Sequence, residues 1–595
     1  MPFQLPLWSS FNPQELVTLF QTGRHEELSD CLLAMLDRCF TRWQETQLPR
    51  DQQPLDTFVS LLLQILTQPT FLIPDTRTLA FIRHNRTIAN LVALTPLQTT
   101  DAALTQLRDQ PHNFAKVLTL YSPRNTVRFD PKPFFDLSPP LANRWFACYA
   151  QSLNATNAEP EPHRRLRDHF AFTHPAIAPE FHIPDLYYAV SYLGGDLDPI
   201  HKPIINISMQ RIAARIPINN RPNPRKALIL SAAWNPEHSV YRICAAHVRE
   251  LKKSFHLTFL YLGRRELFSA QDTSLFDHTA LVDNGTGQLD LSLLLNNDFA
   301  LAYFPDVGMS QESTLLANMR IAPLQIAGLG HSASTRGALI DYFISGADAE
   351  RPDHPESDYS ERLILLPGFG CIHEKPRYSH TNPAPPADRI LINCSWSAQK
   401  ITAPFLHTLQ KLFAPITRPI TLNLFLGPSA RHAFDQLLLT RHLQRSLPAL
   451  HINAFGPTPY PDYMRLSESA HLALDSYPFG GCNTVSDSLF LRIPILTWQG
   501  SRWCARIGPA MLRSINLPEL IAETEDHYIT TARRLITDDQ FRTALRSRLA
   551  TANLDDTLYS TSDASAFLTA INKLLTTHPN PSTRTPIYIS PPTPN

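Results

Sequence analysis

Four loops of this chain carry side chains able to handle a departing anion. Leu472-Ala473-Leu474-Asp475-Ser476-Tyr477-Pro478-Phe479-Gly480-Gly481-Cys482-Asn483-Thr484-Val485-Ser486-Asp487 reads as strand, glycine turn and helix. Gly480 and Gly481 allow a ligand close to the main chain, and Asn483 or Thr484 is placed to cap the helix that follows, with Asp487 in its opening turns. Bare N–H groups at such a helix start attract phosphate, although a plain βα turn has the same pattern. Cys394-Ser395-Trp396-Ser397-Ala398-Gln399-Lys400 follows another strand and opens a helix. A lysine there opposes the helix dipole, which points to a ligand; the ordinary reading is a solvated lysine. Ala233-Trp234-Asn235-Pro236-Glu237-His238-Ser239 and Gly328-Leu329-Gly330-His331-Ser332 place His238 and His331 after strands of an earlier sheet. Either imidazole suits a base or a donor to a substrate oxygen, and His238 equally suits a helix cap.

These loops need scaffolds. Lys226–Ser231, Leu257–Leu262, Ala300–Phe304, Leu324–Leu329, Tyr342–Ser345 and Leu363–Leu366 are short apolar runs with helical patterns between them. Ile390–Cys394, Thr421–Leu426, His451–Phe455, Leu472–Asp475 and Ile495–Trp498 repeat the alternation. Strands alternating with helices predict parallel sheets covered on both faces, with ligands beyond the carboxyl ends of the strands. Two such domains in tandem enclose a cleft.

Residues 1–222 read as an all-α domain. Leu28, Leu32, Met35, Leu36, Cys39, Phe40 and Trp43 share one helical face, and Leu55–Leu66, Thr76–Leu94, Ala102–Leu107, Leu141–Leu153, Asp185–Leu193 and Pro203–Ile216 continue the pattern. The proline- and histidine-rich 160–185 stretch reads as irregular, and Asn219–Pro224 as a linker. No 34-residue repeat marks a tetratricopeptide array, and the plain reading of this half is a helical interaction domain. The two α/β domains then occupy 223–375 and 376–576, joined through the proline-rich Cys371–Asp388. Residues 577–595, with Pro579, Pro581, Pro586, Pro591, Pro592 and Pro594, read as a disordered tail.

Composition narrows the function. Lys+Arg and Asp+Glu are both 53 in 595 residues, which argues against a chain-wide grip on nucleic acid or an anionic membrane. No apolar run reaches spanning length, Met1–Pro6 does not make a signal peptide, and the simplest compartment is the cytoplasm. The eight cysteines form no CxxC pair, so neither a zinc site nor a disulfide framework is indicated. No Asp-x-Asp ends a strand to suit Mg²⁺. Imidazoles, a lysine and a helix start therefore suggest a nucleotide-sugar transferase that uses no metal or other cofactor and neutralises its leaving diphosphate with Lys400 and backbone N–H groups.

With these residues in place, the chain resembles the bacterial cytoplasmic N-glycosyltransferases that glucosylate adhesins, which share a superfamily with O-GlcNAc transferase. The resemblance spans about residues 225–550. His238-Ser239-Val240-Tyr241-Arg242 is similar to that family's His-Ser-Ile-Tyr-Arg. Gly308-Met309-Ser310, Arg320–Gln325, Leu329-Gly330-His331 and Ile340-Asp341-Tyr342 recur in order. Pro478-Phe479-Gly480, Asn483 with Asp487, and Leu517–Ala522 complete the set. The resemblance implies a GT-B fold behind an all-helical domain, a UDP-hexose donor, and inverting, metal-free transfer to Asn of Asn-x-Ser/Thr in a protein acceptor such as an adhesin. It implies Lys400 at the diphosphate, Gly480, Gly481, Asn483 and Thr484 around the phosphates, and Asp487 on the ribose. His238, His331 and Gly330 would line the sugar side, with Gly427 in the neighbouring loop.

The sequence departs from the family in three places. Its nucleotide loop reads Phe479-Gly480-Gly481-Cys482-Asn483-Thr484 instead of Phe-Gly-Asn-Thr-Asn-Gly, and Gly427-Pro428-Ser429 stands for Gly-Gln-Ser. Gly500–Ile507 is nearer to O-GlcNAc transferase. O-linked transfer of GlcNAc or hexose to Ser/Thr is thus the alternative within the fold, and a non-catalytic scaffold on a relic GT-B fold the alternative outside it.

Overall fold

The computed structural model describes residues 8, 11–42, 52–108, 111–179, 183–427, 433–577 and 580–591. Trp43, Pro428, Ser429, Met1–Pro6 and, in the tail, Pro579, Pro592 and Pro594 lie outside them.

The first half is helical to Ala213. His25–Arg42 buries Leu28, Leu32, Leu36 and Cys39 on one stripe, and Gln52–Thr67 buries Leu55, Phe58, Leu62 and Leu66. One segment departs from expectation. Pro160–Ala171 is a helix, not irregular chain, because Pro160 and Pro162 sit in its first turn, where a missing N–H costs nothing. Pro203 lies inside the Asp198–Ala213 helix rather than starting it.

Fourteen strands are found among the described residues: β1 (Asn219–Ser231), β2 (His256–Tyr261), β3 (His278–Leu281), β4 (Asn296–Phe304), β5 (Leu324–Ala327), β6 (Tyr342–Gly346), β7 (Arg362–Leu366), β8 (Ile390–Cys394), β9 (Ile420–Phe425), β10 (His451–Phe455), β11 (Leu472–Leu474), β12 (Ile495–Trp498), β13 (Ile521–Ala522) and β14 (Ile587–Tyr588). The first sheet is ordered β14-β7-β6-β5-β4-β1-β2-β3 and the second β10-β9-β8-β11-β12-β13, with parallel neighbours. β8, β9 and β11 are buried along their whole length, as strands covered by helices on both faces must be. Each fully buried Ile or Leu in them adds about 1.5–3 kcal/mol. This is a GT-B arrangement of two Rossmann-like domains behind an all-helical one.

Two boundaries differ from the sequence reading. Asn219–Pro224 is not a linker but the exposed start of β1, paired to β4 with register shifts around the prolines. Asn220 holds it by donating to Asn297 Oδ1 (2.5 Å) and to the Phe299 carbonyl (2.9 Å). At the other end, the described part of the tail is ordered: β14 pairs with β7, with Ile587 and Ile589 buried and Tyr588 exposed. That period-two alternation was hidden among prolines. The preceding Ala564–Thr577 helix also crosses back to the first sheet. Its Phe567 stacks on His247 at 4.5 Å and lies 5.3 Å from Tyr303.

The helical domain is built into both α/β domains. Asn157 donates to the Gln399 carbonyl and accepts from the Ala403 N–H, each at 2.8 Å, which pins the loop bearing Lys400. Tyr187 donates to the Thr335 carbonyl at 2.6 Å on the first sheet's side. Among the described residues no helix is long and apolar enough to cross a membrane.

Candidate functional site

The Asn483–Phe490 helix begins just beyond β11 with no side-chain cap. The expected cap is absent: Cys482 holds the N-cap position, and Asn483 is already the first helical residue. Asn483 Nδ2 instead donates across the cleft to the Ser239 carbonyl at 3.2 Å, while its Oδ1 is buried without a partner. A bare helix tip beside an unsatisfied acceptor is a place for a polar ligand.

Asp475, at the end of β11, organises the glycine turn. It is buried and accepts the N–H groups of Ser476 (2.9 Å) and Gly481 (2.8 Å). A Cβ on Gly480 would meet Asp475 Oδ2 and the Cys504 carbonyl at 2.9 Å, and one on Gly481 would meet Thr484 Oγ1. The glycines are thus required by the turn's own packing. Burial raises the Asp475 carboxyl to about 6, opposed by Lys400 and the two N–H groups.

Lys400 closes this group. It lies in the single turn Ala398–Lys400 ahead of the Ala403–Phe413 helix, not in the start of that helix. Its Nζ donates to the Gly480 carbonyl at 2.7 Å and stands 5.2 Å from the centre of the Phe479 ring. Burial lowers its pKa, and the nearby Asp475 opposes that. The ammonium is thus held against the main chain of the turn that precedes the helix tip.

The remaining site residues lie on the facing domains. His238 Nδ1 accepts the Val240 N–H at 3.2 Å and caps the Ser239–Lys252 helix, the structural role the sequence left open. His331 does not face the cleft mouth. It is buried, with Nδ1 at 3.0 Å from the Val307 carbonyl and Nε2 at 3.3 Å from Ser191 Oγ of the helical domain. Desolvation pushes its pKa well down, so the ring is neutral. Gly330 packs on the Pro305 carbonyl. Gly427 adopts φ +64° with open space around it. Thr484 is half-buried in the helix's first turn. Asp487 is engaged: Arg242 grips it at 2.6 and 3.3 Å, and Tyr460 donates to it at 2.7 Å. This pair joins the two sheets' domains, and Arg242 also lies 4.8 Å from the Tyr460 ring centre.

A second cluster binds all three domains. Asp198 of the helical domain accepts from Ser191 Oγ (2.8 Å) and Arg502 (3.0 Å), with Lys202 Nζ at 3.4 Å. Ser191 links it to His331. Tyr188 packs 4.4 Å from His331 and hydrogen-bonds Tyr192, whose ring lies 4.4 Å from Phe479 beside Lys400. His331 and Lys400 are therefore ends of one aromatic chain through the helical domain. Sequence reasoning gave that domain no part here. Asp475, Tyr460 and Arg502 likewise carry no local signal, although Asp475 ends a strand and Arg502 lies in Gly500–Ile507. The motif residues Gly308, Ser310, Gln325 and Asp341 are structural: Ser310 caps the Gln311–Leu316 helix, and Gln325 Oε1 accepts from Ile321 N–H at 2.8 Å.

The fold also brings together groups that spacing had kept apart. Cys482 at the helix tip meets Cys371 and His373 of the interdomain linker, their ligand atoms all within 4.8 Å of one another. The hydrogen bond with Cys371 holds the Cys482 thiol well below its usual value and pushes Cys371 up.

The glycosyl transferase family 41 model matches residues 441–568, which contain the glycine turn and the helix tip. The chain is thus similar to the O-GlcNAc transferase-like glycosyltransferases over this stretch. The UDP-glucose:protein N-beta-glucosyltransferase of Actinobacillus pleuropneumoniae serotype 5b (strain L20) is 23% identical over 540 residues, covering 83% of this chain and 85% of that protein. A probable UDP-N-acetylglucosamine–peptide N-acetylglucosaminyltransferase SPINDLY of Solanum lycopersicum is 26% identical over 251 residues, covering 40% of this chain and 26% of its own. Among solved structures, a mutant O-GlcNAc transferase of Thermobaculum terrenum superposes with a TM-score of 0.53 at 18% identity, covering 94% of this chain and 96% of that one. That last likeness bears on the fold. In this chain Lys400, the glycine turn and the uncapped tip all follow strands of the second domain and sit together.

Proposed function

We propose that this protein moves a hexose, glucose by preference, from a UDP-sugar to the side-chain amide of Asn in Asn-x-Ser/Thr segments of an acceptor protein such as an adhesin. The observation that carries the reading is Lys400 bonded to the Gly480 carbonyl beside an uncapped helix start. The likeness to a UDP-glucose:protein N-beta-glucosyltransferase over most of both chains supports donor and acceptor class.

In this mechanism the leaving diphosphate gains negative charge as the glycosidic bond breaks. Lys400 exchanges the Gly480 carbonyl for phosphate oxygens, and the N–H groups of Asn483, Thr484 and Val485 point at the same charge. No divalent ion takes part at the diphosphate. Attack on the face opposite UDP inverts the anomeric carbon. The amide nitrogen is a weak nucleophile because its lone pair is delocalised, so most of the acceleration comes from stabilising the leaving group. Asp487 reaches ribose hydroxyls when Arg242 yields one of its two contacts. His238 sits at the first domain's side of the cleft, where the sugar and acceptor enter.

The similarity to the SPINDLY proteins, although over a shorter stretch, favours transfer of GlcNAc to Ser/Thr as the second reading. Mass spectrometry on one peptide with an Asn-x-Thr segment, and on its Asn→Gln counterpart, with UDP-glucose or UDP-GlcNAc as donor, separates the two. A hexose adduct confined to the Asn peptide supports the proposal. An N-acetylhexosamine adduct on both peptides supports the alternative, and no adduct with any donor contradicts both.

A further inference from the structure

Cys371, His373 and Cys482 are assigned no role by the transfer reaction, yet the fold holds them in one place from two sides. Their three ligand atoms lie within 4.8 Å of one another, and His373 Nε2 is 3.3 Å from Cys482 Sγ. In a tetrahedral site with Zn–S of about 2.3 Å and Zn–N of about 2.0 Å, neighbouring ligand atoms stand roughly 3.5–3.8 Å apart. The His373–Cys482 pair needs only a slight spreading to receive a metal, and the third ligand lies within about 1 Å of tetrahedral spacing. His373 is 2% exposed and its Nδ1 is buried with no partner, an unusual waste for an imidazole.

The backbone around the cluster is fixed. Gly370 takes φ +77° and packs so close to Ser345 that no side chain fits there. Trp503 Nε1 donates to the Phe369 carbonyl at 3.1 Å. The Ile372 N–H donates to the Ile243 carbonyl at 3.3 Å and the Glu374 N–H to the Arg242 carbonyl at 2.7 Å, so the linker is laced onto the Ser239–Lys252 helix. Arg249 and Glu374 add an ion pair at 2.6 Å. Cys482 is held from the other domain by the Ser486 N–H, which donates to its carbonyl at 3.1 Å. Two thiols and an imidazole form a soft ligand set suited to zinc over Mg²⁺ or Ca²⁺. Cys482 is the partly exposed member of the three.

We propose that Cys371, His373 and Cys482 bind one zinc-class divalent ion, which clamps the interdomain linker to the tip of the Asn483–Phe490 helix. Binding displaces the two thiol protons to solvent and forms two metal–thiolate bonds and one metal–imidazole bond, with no change of oxidation state. The ion's role is to fix the linker and tip, separate from leaving-group chemistry, so the site stands or falls independently of the glycosyl-transfer reading.

The test uses the full chain, reduced, stripped of metal by a chelator and titrated with Co²⁺ without any sugar nucleotide. The expected result is a near-ultraviolet thiolate-to-cobalt band that saturates at one ion per chain and is reversed by Zn²⁺. C371S and C482S each remove half or more of the band, H373A weakens binding, and C31S, at a partly exposed cysteine elsewhere, leaves it intact. Near-ultraviolet circular dichroism checks that each variant is folded. No thiolate band on the folded wild-type chain overturns the proposal, as does a band that survives all three substitutions. A Cys371–Cys482 disulfide formed by peroxide in a chain that, when reduced, takes up no cobalt overturns it as well and makes the pair a redox couple.

Discussion

Replacing Asp198 with asparagine removes the carboxylate shared by the buried Lys202 and the half-buried Arg502. Lys202 is fully buried with its Nζ 3.4 Å from Asp198, and Arg502, 18% exposed at the side chain, donates to the same carboxylate at 3.0 Å. Asparagine preserves shape and the bond from Ser191, so what is lost is charge. Breaking a buried pair from one side costs about 3–5 kcal/mol. For a domain of this size that lowers the unfolding temperature by roughly 6–20 °C. Burial already depresses Lys202 to about 8 and Asp198 opposes that, so the variant's lysine falls further. A lysine whose folded pKa is depressed contributes instability that is greatest at acid pH and relieved as pH rises through the folded and then the unfolded value. The deficit of the variant against wild type should therefore shrink from pH 6 to pH 9. Scanning calorimetry across that range measures it, with limited proteolysis reporting release of the helical domain. Asp196→Asn is the control, since its pair with Arg167 is exposed and worth about 0–1 kcal/mol. An Asp198 variant that melts within about 2 °C of wild type, below the shift from even 1 kcal/mol, refutes the idea that this cluster fastens the three domains.

Other perturbations have equally definite outcomes. Arg242→Met leaves the buried Asp487 with Tyr460 as its remaining partner and should cost about 3–5 kcal/mol, read as a lower unfolding temperature; unchanged unfolding means the pair does not hold the two sheets' domains together. Asp306 is buried, with one carboxyl oxygen unpartnered, and burial raises it from 3.8 to about 7. Its native state holds a proton that the unfolded chain has lost, so its stabilisation is full below the unfolded value and disappears as pH rises through the folded one. Asp306→Asn should flatten the decline of stability between pH 4 and pH 8, on the order of a few kcal/mol. An identical pH profile in variant and wild type counts against it.

The sheets were legible because buried parallel strands are written as dense apolar runs, Ile390–Cys394 and Leu257–Leu262 being plain cases. The glycine turn and Lys400 were legible for the same reason: they stand just after such runs. Composition misled where it imitates punctuation. Pro160 and Pro162 start a helix, the prolines of Asn219–Pro224 sit at bulges of β1, and Pro586 and Pro591 flank a strand. Contacts between distant segments left no local trace. Asp198 meets Arg502 across 304 positions, and Cys482 meets His373 across 109. The side chains that look catalytic in sequence divide accordingly: Lys400 stays at the turn, while His331 is neutral and enclosed by the helical domain.

The proposed transfer needs Lys400 and the uncapped tip to hold a diphosphate. Calorimetric titration of wild type and Lys400→Met with UDP and with uridine tests this most directly, because the two ligands differ only in the diphosphate. Loss of a charge-assisted hydrogen bond of about 1.5–3 kcal/mol should weaken UDP roughly 10- to 150-fold and leave uridine unchanged. Equal UDP affinity in the two proteins, or an equal loss for UDP and uridine, contradicts it.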